Sequence, residues 1–178
     1  MLGLNKGEVV LVNHSDEWKQ LFDEERSLLH SVIGTHIIDI QQIGSTAIDG
    51  IEAKSIMDIM VGLNSLEDID KFNMEKLKEV GYYHLPKVRI EGKTVFAKFT
   101  DLENLTKTHV VHVVEYRGDW WEEHLFFRNY LKENRTAAKE YEQLKKLLAE
   151  KYPNDERSYT NEKKKFVESI LKMKKHGS

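Results

Sequence analysis

The sequence has no cysteine, only two prolines and no long apolar run. Without cysteine, disulfides and thiolate-ligated metal sites are excluded, so carboxylate, imidazole or water must hold any metal ion. No apolar stretch reaches the roughly 20 residues that a membrane helix needs, and the first residues lack the basic and apolar regions of a signal peptide. We therefore expect a cytoplasmic protein without a membrane segment.

The chain also lacks the net positive charge on which binding to a nucleic-acid backbone depends, because 27 Lys and Arg face 30 Asp and Glu. Extended nucleic acid is therefore not the expected ligand. The charge is uneven: residues 1–131 hold 14 basic and 22 acidic side chains, whereas residues 132–178 hold 13 and 8. The basic end is either a set of solvated helix faces or, in part, a surface for a polyanionic ligand.

Hydrophobic periodicity divides the chain into a sheet-forming part and a helical part. In the first part, helices are predicted at 15–34 and 66–80, and Ser15 and Gly34 are the expected caps of the first helix. Strands are predicted at 37–43, 56–63, 94–100 and 108–116, with a turn at Glu91–Lys93. Three helices follow at 120–132, 137–152 and 157–174. The pattern thus predicts a mixed α/β sheet unit followed by helices.

A turn of small residues follows the first predicted strand. Gly44 permits close approach to the backbone, while Ser45 and Thr46 offer hydroxyl and amide groups to phosphate oxygens. Asp58 lies on the next strand, where its carboxylate could hold the Mg²⁺ that bridges such oxygens, and Lys54 adds a cation. A Gly-Ser turn alone is more often an ordinary loop. The combination indicates phosphoryl or nucleotidyl transfer.

Several stretches together resemble the GrpB family, whose members resemble the polymerase-β-like nucleotidyltransferase superfamily. The resemblance rests on residues 43–47, 53–62, 108–114 and 124–131, with support from Tyr141, Leu144, Lys145, Tyr159, Lys163 and Phe166. It implies an α+β fold, with a mixed sheet and flanking helices over residues 1–117 and a C-terminal helical subdomain over residues 118–178. It also implies nucleotidyl transfer with a nucleoside triphosphate or another phosphorylated small molecule in a metal-assisted cleft.

One position departs from the pattern of the superfamily. Active members carry a second carboxylate two residues after the first, and Met60 stands there in this chain. Alternation along a strand puts Met60 beside Asp58 with no oxygen for a hard cation. The alternative function is therefore a catalytically degenerate module that binds a nucleotide or a CoA-related ligand.

The valine-rich strand at 108–116 could supply the missing ligand. One face carries His112 and the other carries His109 with Glu115, and alternation alone does not choose between them. We favour His112 as the partner of Asp58 in a catalytic and metal-binding pair; the alternative is a structural, hydrogen-bonded histidine. An Asp–His pair favours Mn²⁺ or Zn²⁺ over Mg²⁺.

The helical part offers two candidates for contact with phosphate. Arg128 can bind a phosphate bidentately, or it can form an ion pair with Glu123 or Glu133. Lys145, on the following helix, could line the same cleft.

Aromatic and basic residues of the helical part complete the candidates. Tyr159 and Lys163 on the last helix could also line the cleft, although each could equally be a surface or packing residue. At least one of Trp120 and Trp121 is expected in the core. Nothing in the sequence fixes an oligomeric state.

Overall fold

The computed structural model describes residues 1–86 and 92–176. Within these residues the strands are β1 (Leu11–Val12), β2 (Ile37–Ile43), β3 (Ala53–Lys54), β4 (Met57–Leu63), β5 (Tyr82–His84), β6 (Lys93–Asp101) and β7 (Thr106–Glu115). The α-helices are α1 (Glu17–Ile33), α2 (Met74–Glu79), α3 (Asp119–Glu133), α4 (Arg135–Lys151) and α5 (Glu156–His176). Glu91, the first residue of the predicted turn, lies outside the described residues.

A mixed sheet forms the centre of the fold, and its described strands run in the order β2–β4–β7–β6–β5. Strands β4 and β7 are parallel, whereas the other neighbours are antiparallel. A parallel pair requires a crossover connection, which residues 64–105 supply. The mixed sheet with flanking helices is therefore confirmed. The boundary predicted at residue 117 stays a prediction.

One face of the sheet packs against α1 and α2. Ile59 of β4 and Val111 of β7 point toward this side, where they are buried with Trp18 and Leu29 of α1 and Leu77 of α2. Burial of large apolar side chains in this layer is the main source of stability, at about 1.5–3 kcal/mol for each fully buried side chain.

The opposite face packs against α3. Met60 and Val114 are buried there with Ile43 and Trp121. Gly62 lets α3 come close, because a Cβ at this position would lie 2.8 Å from the ring of Trp121. Asp58 alternates with Met60 and Gly62, so its carboxylate lies on this second face, as the sequence predicts.

The helix predicted at 66–80 is wrong as a single element. Residues Leu66–Lys71 form a 3₁₀ segment, Phe72 is extended, and a new α-helix begins at Met74. The side chain of Asn73 caps α2 by accepting a hydrogen bond from the Lys76 amide at 3.1 Å. A side-chain cap in the middle of the pattern therefore ends one segment and starts the next.

The other long elements are confirmed with small shifts of their ends. Strand β2 spans the predicted residues 37–43, and α1 begins at Glu17. Its N-cap is Asp16 and not the predicted Ser15, although the Ser15 hydroxyl accepts from the Glu17 amide at 3.3 Å. Gly34 is the C-cap of α1, in a right-handed conformation. The short strands β1, β3 and β5 were not predicted.

Candidate functional site

Gly44 shapes the turn between β2 and the loop that follows. Its φ is +73°, a backbone conformation that side chains disfavour. An added Cβ would lie 2.8 Å from Oδ2 of Asp58. The amides of Ala47 and Ile48 donate back to the carbonyl groups of Gly44 and Ser45 at 3.2 and 3.1 Å, which closes the turn. Gly44 is thus required both by the turn and by the approach of Asp58.

Asp58 and His112 meet beside this turn. The parallel register of β4 and β7 pairs Met60 with His112, and Nε2 of His112 lies 3.1 Å from Oδ1 of Asp58. Burial by itself would raise the pKa of Asp58, but the hydrogen bond with His112, together with the charges of Lys163 and Lys54, lowers it. The carboxylate is therefore ionised at neutral pH.

The alternative partner, His109, points to the other face of the sheet. Its Nε2 lies 3.7 Å from Oε2 of Glu25 on α1, and its Nδ1 lies 2.8 Å from the hydroxyl of Thr108. Burial lowers the pKa of His109 to about 4. Glu115, at the end of β7, is exposed. The structure thus brings His112, and not the pair on the opposite face, next to Asp58.

Two lysines occupy the same region from different elements. The Nζ atoms of Lys54 on β3 and Lys163 on α5 lie 5.3 and 5.2 Å from the ring centroid of Tyr159. Burial lowers the pKa of both ammonium groups, and the charge of Lys163 lowers that of Lys54 further. The charge of Asp58 raises the pKa of both lysines and so opposes the effect of burial. Glu156 forms an ion pair with Lys54 at 3.5 Å.

A third lysine, at the start of β6, reaches the far side of His112. Nζ of Lys93 lies 3.1 Å from Nδ1 of His112 and 4.2 Å from the ring centroid of Trp120. Trp120 stacks on His124 with centroids 4.3 Å apart, and Trp121 is buried in the core, which confirms the expectation for this pair. Lys93 was not recognised in the sequence, where it appeared only as part of a turn.

His124 has a defined protonation pattern. Its Nδ1 lies 2.8 Å from the carbonyl oxygen of Trp120, and since a carbonyl only accepts, Nδ1 carries the proton. Burial lowers the pKa of His124 to about 4, so the imidazole is neutral at pH 7.

These side chains line one cleft of about 530 Å³. Its lining includes the polar side chains of Ser45, Lys54, Asp58, His112 and Lys163 and the apolar side chains of Phe127, Val167 and Leu171. Tyr141 of α4 lies at the wall and forms a side-chain hydrogen bond with Ser45, while burial raises its pKa to about 12. A volume of this size accommodates a nucleotide-sized molecule.

Three predicted phosphate contacts lie outside the lining of this cleft. Nη1 of Arg128 donates to the side chain of Gln41 at 2.8 Å and to the carbonyl of Gln42 at 3.0 Å. The guanidinium and Thr46 face a second pocket of about 670 Å³. Lys145 is 1% exposed. Arg128 therefore faces the second pocket and Lys145 is buried in the protein, so neither side chain lines this cleft.

Helix α4 holds the loop between the Gly44 turn and β3. Glu142 accepts a hydrogen bond from the Glu52 amide at 2.6 Å, and Nζ of Lys145 donates to the Glu52 carbonyl at 2.5 Å. Arg135 donates to the carbonyl of Asp49 at 2.7 Å. The role of Lys145 that the geometry supports is therefore support of this loop, which connects Ser45 to Lys54.

The donors around Asp58 do not fit the carboxylate-clamped metal pair that the resemblance implies. Met60 occupies the second carboxylate position and is fully buried. In the part of the chain that the structure describes, no group of three or more His, Asp or Glu residues is placed to hold a metal ion. Asp58 and His112 together provide one carboxylate and one imidazole. The divalent ion, Mg²⁺, Mn²⁺ or Zn²⁺, stays a prediction from the sequence.

Comparison with known sequences identifies a family. The sequence model described as "GrpB protein" matches residues 8–173. The "Glutamate-rich protein GrpB" of Alkalihalophilus pseudofirmus is 70% identical over 171 residues, which cover 96% of this chain and 98% of the relative.

Comparison with solved structures supports the same family. The crystal structure of conserved protein GrpB from Enterococcus faecalis matches with a TM-score of 0.80 and 28% identity, over 92% of this chain and 98% of that one. A structure of Cid1 poly(U) polymerase with Mg 3′-dATP bound matches with a TM-score of 0.53 and 16% identity, over 78% of this chain and 43% of that one. The second match shows a shared nucleotidyltransferase-like fold.

No helix of residues 1–86 and 92–176 has the length and apolar character needed to cross a membrane.

Proposed function

Because the chain belongs to the GrpB family and has a nucleotidyltransferase-like fold, we propose that its cleft binds the phosphate groups of a nucleotide or another phosphorylated small molecule. The observation that carries this proposal is the meeting of Lys54 and Lys163 in the cleft of the Gly44–Ser45 turn. Two partly buried ammonium groups disfavour each other, and a bound anion relieves that cost.

The remaining walls suit the rest of such a ligand. Ser45 offers a hydroxyl group held by Tyr141, and the Gly44 backbone is open to close approach because it has no side chain. Phe127, Val167 and Leu171 provide apolar surface for a sugar or base. The Cid1 structure with bound Mg 3′-dATP supports a nucleotide as the first ligand to test.

Replacing Lys163 by methionine is expected to weaken binding of ATP or ADP about tenfold or more, since a partly buried charge contact to phosphate is lost. The matched control is Lys165→Met on the same helix, because the Lys165 side chain is 76% exposed and pairs only with Glu162 in the described chain. Isothermal titration calorimetry measures both affinities. Equal affinity of the two variants for every phosphorylated probe would contradict the proposal.

Nucleotidyl transfer is the second candidate function, and the approach of Asp58 to His112 beside the Gly44 turn favours it. The test uses radiolabelled nucleoside triphosphates with a panel of acceptors and with Mg²⁺, Mn²⁺ or Zn²⁺. Label transfer is expected to disappear in Asp58→Ala. Transfer that persists in this variant would show that the reaction does not depend on the proposed site.

A further inference from the structure

The proton on His112 is fixed by its two neighbours. The ammonium group of Lys93 has donors and no acceptor, so Nδ1 of His112, 3.1 Å away, must accept. A neutral imidazole then carries its proton on Nε2, which donates to Oδ1 of Asp58 at 3.1 Å. Lys93, His112 and Asp58 therefore form a chain of two hydrogen bonds, directed from the ammonium to the carboxylate.

This chain competes with metal coordination. A histidine binds a metal ion through a nitrogen lone pair, and His112 has no lone pair on the nitrogen that faces Asp58. Met60 contributes no ligand from the neighbouring position. A cation entering between Asp58 and His112 would have to displace the proton and the hydrogen bond together, with the Lys93 ammonium close by.

The ring of Trp120 and the pairing of β6 with β7 hold Lys93 in place. Its Nζ lies over the ring of Trp120, an arrangement in which the ring attracts a cation. Lys93 begins strand β6, and the pairing of Val95 in β6 with His112 in β7 fixes the position of Lys93 along the neighbouring strand.

The cleft therefore contains its own positive charges for a phosphate. Lys54, Lys93 and Lys163 approach Asp58 from β3, β6 and α5. In phosphoryl transfer, metal ions usually neutralise the phosphate charge. Here three ammonium groups are placed where they can do so.

We propose that Lys93 prevents divalent metal ions from binding between Asp58 and His112, and that the cleft binds its phosphorylated ligand as the free anion, not as a metal complex. The second half of this inference rests on the proposed function. The first half depends only on the described side chains.

The first experiment measures Mn²⁺ binding without any nucleotide. Lys93→Met removes the donor, so His112 can move its proton to Nδ1 and offer Nε2 to the ion. We expect Lys93→Met to bind Mn²⁺ about tenfold or more tightly than the wild type, as measured by electron paramagnetic resonance. Lys93→Arg keeps a donor on Nδ1 and is expected to behave like the wild type.

Nitrogen NMR of His112 provides a readout that does not depend on affinity. The expected result is a proton on Nε2 in the wild type and in Lys93→Arg. Wild-type protein that binds Mn²⁺ as tightly as Lys93→Met, or that carries the His112 proton on Nδ1, would overturn the inference.

The second experiment compares the affinity of the wild type for ADP and for inorganic pyrophosphate in EDTA and in Mg²⁺. The two affinities are expected to agree within about twofold. A requirement for Mg²⁺ would overturn the inference. If neither probe binds with or without metal, the proposed function fails, while the Mn²⁺ comparison still decides the role of Lys93.

Discussion

Replacing Gly44 by valine is expected to weaken binding of ADP by about 30-fold or more, equivalent to about 2 kcal/mol. At φ +73° a β-branched side chain is strained, at a cost of about 1–3 kcal/mol. The new Cβ would also lie 2.8 Å from Oδ2 of Asp58 and push the carboxylate out of the cleft. Calorimetric titration measures the affinity, and urea unfolding measures the loss of stability.

Gly81→Val is the matched control for strain. Gly81 has a similar positive φ of +94° and follows α2, on the side of Lys98 and Phe99. Its replacement is expected to lower stability but to leave ADP affinity unchanged. A folded Gly44→Val protein that binds ADP like the wild type would contradict the assignment of the turn to phosphate binding.

Lys145→Met is expected to change how stability depends on pH. Lys145 is 1% exposed, and burial, followed by the charge of Lys163, lowers its pKa from 10.5 to about 7. Between these values the unfolded chain holds a proton that the folded chain has released. The free energy of unfolding therefore rises with pH in this window, by at most about 1.4 kcal/mol per pH unit.

The measurement is urea unfolding of wild type and Lys145→Met at several pH values from 7 to 10. Lys54 and Lys163 shift in the same direction, so the difference between the two proteins, and not the wild-type slope, isolates Lys145. Lys146→Met is the control, because Lys146 is on the surface and pairs with Glu52 at 2.7 Å. Parallel curves for wild type and Lys145→Met would show that Lys145 does not release its proton on folding.

The sheet could be predicted where the signal is local. Residues 37–43 are rich in isoleucine, residues 56–63 form a second apolar run, and the two flank a glycine turn, which is enough to define two strands. Residues 66–80 have helical periodicity throughout, yet the capping side chain of Asn73 restarts the helix there. Strand β5 has three residues and depends on pairing with β6, so its own sequence carries little signal.

The candidate site likewise combines residues that a local sequence signal brings together with residues that only long-range pairing positions. Gly44, Ser45, Lys54 and Asp58 lie within 15 residues of one another, and a turn between two strands is enough to bring them together. His112 could be placed on one of two faces, and only the register of β7 against β4 selects the face of Asp58. The sequence therefore left two possible faces for the partner of Asp58, and the long-range pairing of β7 with β4 selects one of them.

Lys93, Arg128 and Lys145 depend on geometry that periodicity does not contain. Lys93 reaches His112 because β6 pairs with β7 in antiparallel register, 19 residues apart along the chain. The direction in which Arg128 and Lys145 point depends on how α3 and α4 are rotated against the sheet and the loop. Charge and residue type alone suggested phosphate contacts, whereas tertiary packing directs these two side chains to backbone carbonyl groups.

A crystal structure of the wild type grown with ADP and Mn²⁺ tests the central claim most directly, because anomalous scattering locates the ion. The account predicts phosphate oxygens in contact with Lys54 and Lys163 beside the Gly44–Ser45 turn, and no ion bound between Asp58 and His112. Phosphates bound elsewhere, or a Mn²⁺ ion coordinated by Asp58 and His112, would contradict it.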